Sequence, residues 1–334
     1  MRLQDLPRPL ARRCLRIPRF CSRTLGVDLQ GASLVVAYST GLDSTALLHL
    51  LCALRPTLGL TIVAAHAHHG LREASDREFA HALATCARLG VPCETGRLDV
   101  PAAQAAARTG REDAARTARY SFLEEVRRRH GADWITTAHH ADDLAEDIVM
   151  RLVRGTGWPG LGGMPGADPV RRLLRPVLDW EKADLRAVLE STGIPWCEDL
   201  SNADAQQTRN RVRHEILPLL RRENPAFARS ALNLWELARV DGDFWRQALP
   251  AIPPSLPEYF LDAATLGGHQ AGRLRLYKAV LDALGPGQAL AGHLFLLDEA
   301  WTDGKFGRHI QFPGDKAARP ERTGIRFFLH KKEI

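Results

Sequence analysis

Short apolar runs alternate with longer stretches of helical spacing along the first two-thirds of the chain. Ser33-Leu-Val-Val-Ala-Tyr38, Leu60-Thr-Ile-Val-Ala-Ala65 and Asp133-Trp-Ile-Thr-Thr-Ala138 have strand length and β-branched members. Thr45–Leu54, residues 75–89, residues 112–129, Asp142–Arg154 and Glu181–Leu189 repeat their apolar positions every three or four residues, as helices do. Ser75 with Glu78 reads as a capping box that opens one of these helices, and Gly90 and Pro92 close it. Strands separated by helices of this length predict an α/β fold: a doubly wound parallel sheet covered on both faces.

The pattern then changes. Gly155–Pro165 is rich in Gly and Pro, and Glu198–Asn210 is polar. Residues 225–249 return to helical spacing after the start signal Asn224-Pro225, and Ala251–Pro257 is a linker by composition. The last 80 or so residues predict a small, mainly helical domain, with strand-like pieces at His309–Phe312 and Ile325–Leu329. The resulting plan is a basic helical extension (1–32), a catalytic α/β domain (33–220), a helical linker (221–250) and the small second domain (251–334).

Length and composition agree with this plan. A chain of 334 residues suits about two domains. With 45% hydrophobic and 25% charged residues, wholesale disorder and coiled coil are excluded. All but six of the 45 basic residues are arginine, a bias that suits phosphate and base edges and equally suits an Arg-rich codon usage. Of the net +6, residues 1–32 hold +5: seven arginines against Asp5 and Asp28. That segment is poor in serine and holds three prolines, so a basic helix of the mature protein is expected rather than a transit peptide. A net charge of +6 permits a nucleic-acid partner without demanding one. The six cysteines include no C-x-x-C pair, and no run of 18 apolar residues occurs. A reduced cytoplasm with no membrane partner is expected.

Candidate chemistry gathers at the ends of the strands. Ser39-Thr-Gly-Leu-Asp-Ser44 links the first strand to the next helix, where backbone N–H groups and the helix dipole make an anion site. A generic turn with an N-cap Ser44 is the other reading. His66-Ala-His-His-Gly-Leu-Arg72 follows the second strand, and His139-His-Ala-Asp-Asp-Leu-Ala-Glu146 follows a later one. Asp143 and Glu146 are three apart and share a helix face, so they can hold an ammonium group or a divalent cation. A metal-dependent hydrolase site and simple helix capping by Asp142 remain alternatives. Arg116 and Arg119 are neighbours on a third unit, and Ser201–Asp204 with Arg209–Glu215 form a polar, basic patch. Each of these also reads as a solvated face.

The Ser39–Ser44 segment resembles the pyrophosphate loop, Ser-Gly-Gly-x-Asp-Ser, of the N-type ATP pyrophosphatases. Ser39, Gly41, Asp43 and Ser44 match, and Thr40 stands where the pattern has its first Gly. At a positive φ a β-branched residue there is strained by about 1–2 kcal/mol; in the β region it costs little. Together with His66/His69–Arg72, Ala114–Tyr120, His139–Glu146, Gly155–Met164, Glu198–Asp204 and Arg209–Arg213, the loop makes the chain similar to the tRNA(Ile)-lysidine synthetases over roughly residues 33–220. His68 and Asp147 depart from the family's usual Asn and Thr. Gly272–Arg275 and Phe306–Phe312 resemble the family's smaller second domain, and the third domain of longer members is not seen.

The resemblance implies an adenine-nucleotide alpha-hydrolase-like fold and an ATP-dependent ligase. It would join L-lysine to C2 of the wobble cytidine in an isoleucine tRNA with a CAU anticodon, through an adenylated intermediate. By the same resemblance, Ser39, Thr40, Gly41, Leu42, Asp43, Ser44, His66 and His139 bind ATP. Asp43 holds Mg²⁺ and Arg119 stabilises charge on the phosphates. Asp143 and Glu146 hold the lysine ammonium, one of them acting as general base. Arg209, Arg211 and Arg213 position the tRNA or the activated base. A homodimer is left open. A thiolase-type tRNA-modifying relative, or a non-catalytic tRNA binder with a loop impaired at Thr40, are the competing readings.

Overall fold

The computed structural model describes residues 1–68, 73–98, 111–197, 208–255 and 257–330; the side chains of residues 68, 73–76 and 111–112 are outside the description. The three apolar runs lie side by side. β1 (Ser33–Ala37) is flanked by β2 (Thr61–His68) and β4 (Trp134–Thr136), with Val35 opposite Val63 on one side and Ile135 on the other, all parallel. β3 (Cys93–Arg97) extends the sheet beyond β2. The two-residue strands β5 (Ala167–Asp168) and β6 (Leu173–Leu174) complete the order β3-β2-β1-β4-β6-β5, with β5 antiparallel. The sequence Cys-Glu-Thr-Gly-Arg of β3 carries no apolar run. It pairs through its backbone at a sheet edge, where one face can meet water.

N-terminal to the sheet are α1 (Arg8–Cys14) and α2 (Ile17–Leu25); the crossovers are α3 (Leu42–Leu58), α4 (Glu73–Leu89), α5 (Arg111–Arg129), α6 (Ala141–Val153) and α7 (Lys182–Thr192). One sheet face packs Val35, Val63 and Ile135 against Leu123 and Val126 of α5. The other packs Leu34 and Val36 against Leu47, Leu48 and Leu51 of α3 and Leu185 and Val188 of α7. α4 starts at Glu73, so Ser75 lies inside the helix and is not its N-cap.

The N-terminal segment belongs to this same core. Cys14, Ile17, Cys21 and Leu29 are fully or almost fully buried with the α3 leucines, because the apolar residues of α1 and α2 share one side. The expected separate extension is therefore corrected: most of its arginines face out, but its other side is part of the core. Compact unit one comprises Met1–Met150 and Gly163–Leu232. It ends with α8 (Thr208–Arg211), a π-helical turn (Val212–Ile216), α9 (Leu217–Glu223) and the start of α10 (Phe227–Ala248).

Unit two comprises Arg151–Gly162 and Asn233–Ile334. It holds the rest of α10, then α11 (Ala263–Leu266), α12 (Gln270–Leu284) and α13 (Ala291–Thr302). It also contains an antiparallel sheet of β7 (Glu258–Asp262), β8 (Ile310–Phe312), β9 (Lys316–Glu321) and β10 (Gly324–Leu329) in the order β7-β10-β9-β8. The unit is thus α+β rather than mainly helical. β9 escaped sequence reading because its first residue is Lys316, which is fully buried and donates to the carbonyls of Leu281, Gly285 and Gly287.

Candidate active site

The chain leaves β1 at the point where its two neighbours lie on opposite sides, the position at which doubly wound sheets bind ligands. Thr40 takes φ +66°, and Gly41 (φ −68°, ψ 165°) is the N-cap of α3. The turn is closed by its own hydroxyls. Ser39 N–H donates to Ser44 Oγ at 3.1 Å, the Ser39 and Ser44 hydroxyls are 3.1 Å apart, and Ser44 Oγ donates to the Gly41 carbonyl at 3.1 Å. Thr40 is thus in the left-handed region, where a β-branched residue costs about 1–2 kcal/mol. Its carbonyl accepts from Thr45 Oγ1 (3.1 Å) and Cys197 N–H (2.9 Å), and its own hydroxyl donates to the Ser39 carbonyl (2.5 Å). Those three bonds hold the conformation. Leu42 is buried, its side chain part of the core. His66, also buried, sets its Nδ1 2.9 Å from the Tyr38 carbonyl and so braces the strand end that feeds the loop.

The segment after β4 brings charges of both signs together. His139 Nδ1 is 2.7 Å from Thr137 Oγ1 and accepts from Arg175 Nε at 3.3 Å. Burial, then the Arg175 guanidinium, depress its pKa to about 3, so this ring is neutral. His140 is the opposite case. Its Nε2 is 3.6 Å from Asp43 Oδ1 and 3.3 Å from Asp143 Oδ2, and its Nδ1 is 3.3 Å from Asp142 Oδ2. Burial would lower its pKa, but the three carboxylates raise it to about 10, so it stands as a buried imidazolium. Asp142 does not cap its own helix. Its carboxylate accepts from Lys182 N–H at 2.7 Å, at the start of α7, and pairs with Arg221; the bond at the head of α6 runs from His140 N–H to Asp143. Burial opposes ionisation of Asp142 and Asp143, yet these partners hold both below the usual carboxylate range.

Asp143 and Glu146 do share a face, and both are buried. Two guanidiniums cover them. Arg213 donates from Nε to Glu146 Oε1 (2.5 Å) and from its NH2 group to Glu146 Oε2 (3.0 Å) and Asp143 Oδ1 (3.2 Å). Arg209 donates to Glu146 Oε2 at 3.0 Å and lies 3.7 Å from Asp143 Oδ1. Arg209 and Arg213, expected with Arg211 to position the tRNA or the activated base, here rest on carboxylates. Arg211 is exposed and donates to Thr208 Oγ1 (3.1 Å). Arg116 and Arg119 are exposed on α5, where Arg116 adds to the positive field at His139. His69–Arg72 and Glu198–Asp204 lie outside the described residues.

Three residues here were not singled out from sequence. His140 is read with its neighbour as one cluster, although the two rings carry opposite charge states. Arg175 is 5% exposed and donates to the Pro165 carbonyl (2.5 Å); its signal is a lone charge in the apolar run Leu173–Leu178. Lys182 brings its amine to 4.0 Å from Asp43 Oδ2. Among the described residues no three His, Cys, Asp or Glu side chains group as a metal cage, and none of the helices is long and apolar enough to cross a membrane. The buried thiols of Cys14 and Cys21 are pushed up to about 12 and that of Cys52 to about 11 by burial, which leaves them unreactive.

A PP-loop domain family matches residues 18–220. A tRNA(Ile)-lysidine synthase of Nitratidesulfovibrio vulgaris is 45% identical, over 92% of this chain and 95% of its own length. The chain belongs to the tRNA(Ile)-lysidine synthase family. The tRNA(Ile)-lysidine synthase of Geobacillus kaustophilus is 38% identical over 70% of this chain but only 52% of its own length, so this family member spans about half of that relative. Among solved structures, the U34-tRNA thiolase NcsA from Methanococcus maripaludis, with its [4Fe-4S] cluster, superposes with TM-score 0.56 over 67% of this chain and 78% of its own at 15% identity. That likeness bears on the fold alone. In this lysidine synthase family member the loop, His139 and His140 converge at the carboxyl ends of β1 and β4, and the PP-loop family match supports ATP use.

Proposed function

We propose that this chain uses ATP to adenylate the C2 carbonyl oxygen of the wobble cytidine in an isoleucine tRNA, releasing pyrophosphate. The lysine amine then attacks C2, AMP leaves, and lysidine remains. The observation that carries this reading is the joining of a phosphate loop to a buried carboxylate pair through one histidine: Asp43, His140 and Asp143 stand in sequence at 3.6 and 3.3 Å. The pair already accommodates side-chain cations, since Arg209 and Arg213 rest on it.

The loop's backbone N–H groups and the α3 dipole favour the nucleotide phosphates. Arg119 and Lys182 are suited to add positive charge as negative charge develops there. Asp43 suits Mg²⁺, which takes one or two carboxylates together with substrate phosphates: it stands in the phosphate loop, and the contact at its buried Oδ1 is a long one, His140 Nε2 at 3.6 Å. The ion would neutralise phosphate charge. Asp143 and Glu146 receive the lysine ammonium in exchange for a guanidinium, and one of them takes its proton. Arg211, exposed beside this cluster, contacts the tRNA. Reaching the base requires an unstacked nucleotide, which an anticodon loop supplies.

Incubating tRNA(Ile) with the protein, ATP and lysine, followed by mass analysis of the tRNA, tests the reading. A gain equal to lysine minus water, with pyrophosphate and AMP released, is expected. Pyrophosphate release with no lysine-dependent gain in mass would sink it.

A further inference from the structure

The N-terminal arginines play no part in the site described above. Arg2 pairs with Asp5, and Arg13 turns inward. The other five, Arg8, Arg12, Arg16, Arg19 and Arg23, are exposed, and none forms an ion pair with a described carboxylate. Basic runs elsewhere behave differently. Arg127, Arg128 and Arg129 close α5, and Glu124, Glu125 and Glu94 neutralise them at 2.6 to 2.7 Å. The five also repel one another. Arg8 and Arg12 are four apart on α1, and Arg19 and Arg23 are four apart on α2, a spacing at which like charges destabilise a helix by about 0.2–0.5 kcal/mol per pair. An arrangement that costs stability and has no ion-pair partner among the described residues points to an external anion.

The face is fixed in place. Cys14, Ile17 and Cys21 anchor the two helices in the core. Arg13 stacks 5.0 Å from the Trp180 ring, donates to the Asp179 carbonyl at 2.8 Å, and pairs with Asp184 at 2.6 Å. Those residues surround Lys182, whose backbone N–H bonds to Asp142 and whose amine approaches Asp43. The arginine-bearing helices are therefore clamped to the segment that borders the carboxylate cluster.

We propose that Arg8, Arg12, Arg16, Arg19 and Arg23 form a rigid face that binds the phosphate backbone of the tRNA substrate away from the wobble base, without reading sequence. Guanidinium forks match phosphate geometry, and the local excess of +5 complements a polyanion. The proposal rests on the reading of the chain as a tRNA-modifying enzyme.

The full chain is titrated with an unmodified tRNA(Ile) transcript at several salt concentrations. Changing all five arginines to Gln is expected to weaken binding roughly tenfold at low salt. It should also flatten the logarithmic salt dependence by about 0.7–0.9 for each phosphate that is no longer neutralised. The five-Lys variant keeps the charge and should keep the slope. Arg128→Gln, whose partner is Glu124, should change neither quantity. ATP binding and thermal melting of the Gln variant should match or exceed the parent, because the side chains are exposed and repulsion is relieved. Parental affinity and slope in the Gln variant would overturn the proposal, as would a Lys variant as weak as the Gln one. If the parent binds the transcript with a steep salt slope but adds no lysine to it, the functional reading fails while the face stands.

Discussion

Thr40 holds a left-handed backbone conformation that glycine adopts freely, at the centre of the phosphate loop. Relieving that strain and restoring glycine's flexibility oppose each other, so Thr40→Gly should leave stability within about 1 kcal/mol of the parent. Thr40→Ala keeps the strain and loses the hydroxyl bond to the Ser39 carbonyl, so it should be the less stable of the two by about 1 kcal/mol. Parallel urea titrations give the order. The carboxylate pair supports a second prediction. Arg213→Ala leaves Asp143 and Glu146 with Arg209 as their remaining guanidinium, and removing one member of a buried ionic cluster costs about 3 kcal/mol. Asp143→Asn should instead keep ATP-dependent pyrophosphate release and raise the lysine KM by about tenfold or more, the loss of one charge-assisted bond of roughly 1.5–3 kcal/mol. Unchanged lysine kinetics in that variant would remove Asp143 from the ammonium site. The proposed site residues could be picked out in sequence because the chemistry they would serve needs particular side chains. Their partners were not: nothing in the string says that Arg209 and Arg213, rather than solvent, cover Asp143 and Glu146.

Among the elements, α3 carries a titratable group that the site does not use. His49 is buried, neither ring nitrogen meets a partner among the described residues, and burial lowers its pKa to about 4. A histidine held neutral in the folded state gives its full stability above the unfolded value near 6.5, and that stability is lost as pH falls toward 4, because the unfolded chain binds the proton more readily. His139 has the same sign, with its window reaching about 3. His49→Leu should therefore flatten the acid limb of stability between pH 6.5 and 4, by up to roughly 3 kcal/mol at its lower end. Chemical denaturation at a series of pH values checks this. Element reading from sequence succeeded where burial is two-sided. β1, β2 and β4 carry the apolar runs Leu34–Ala37, Ile62–Ala65 and Trp134-Ile135, whereas β3 is an edge and β9 begins with a buried lysine. Pairing through the backbone leaves no signature in side-chain pattern.

For the whole molecule, the division into units does not follow the chain. Unit one loses Arg151–Gly162 to unit two and resumes at Gly163, so the Gly-rich segment is divided between them. The N-terminal helices are not an appendage either. Removing residues 1–25 would uncover α3 around Leu50, whose carbonyl Cys14 meets, and discard the buried Cys14, Ile17, Phe20 and Cys21, a loss of about 5 kcal/mol or more at roughly 1.5–3 kcal/mol per large buried side chain. Truncation should therefore lower the melting temperature and impair ATP binding, whereas the exposed-arginine substitutions should do neither. A truncated protein that melts with the parent would show the helices to be dispensable to the core.

The sequence by itself determined the α/β order, the phosphate loop and the paired carboxylates, and six ordered motifs carried the likeness to one family. Local spacing and residue chemistry suffice for these, because each is written within a few consecutive positions. Tertiary structure alone decided that Thr40 adopts positive φ, that His139 is neutral while His140 is charged, and that the basic N-terminus is half core and half exposed arginine. Each of those depends on groups distant in the chain that burial and pairing bring together: Cys197 on Thr40, Arg175 on His139, Asp43 on His140, and Asp184 on Arg13.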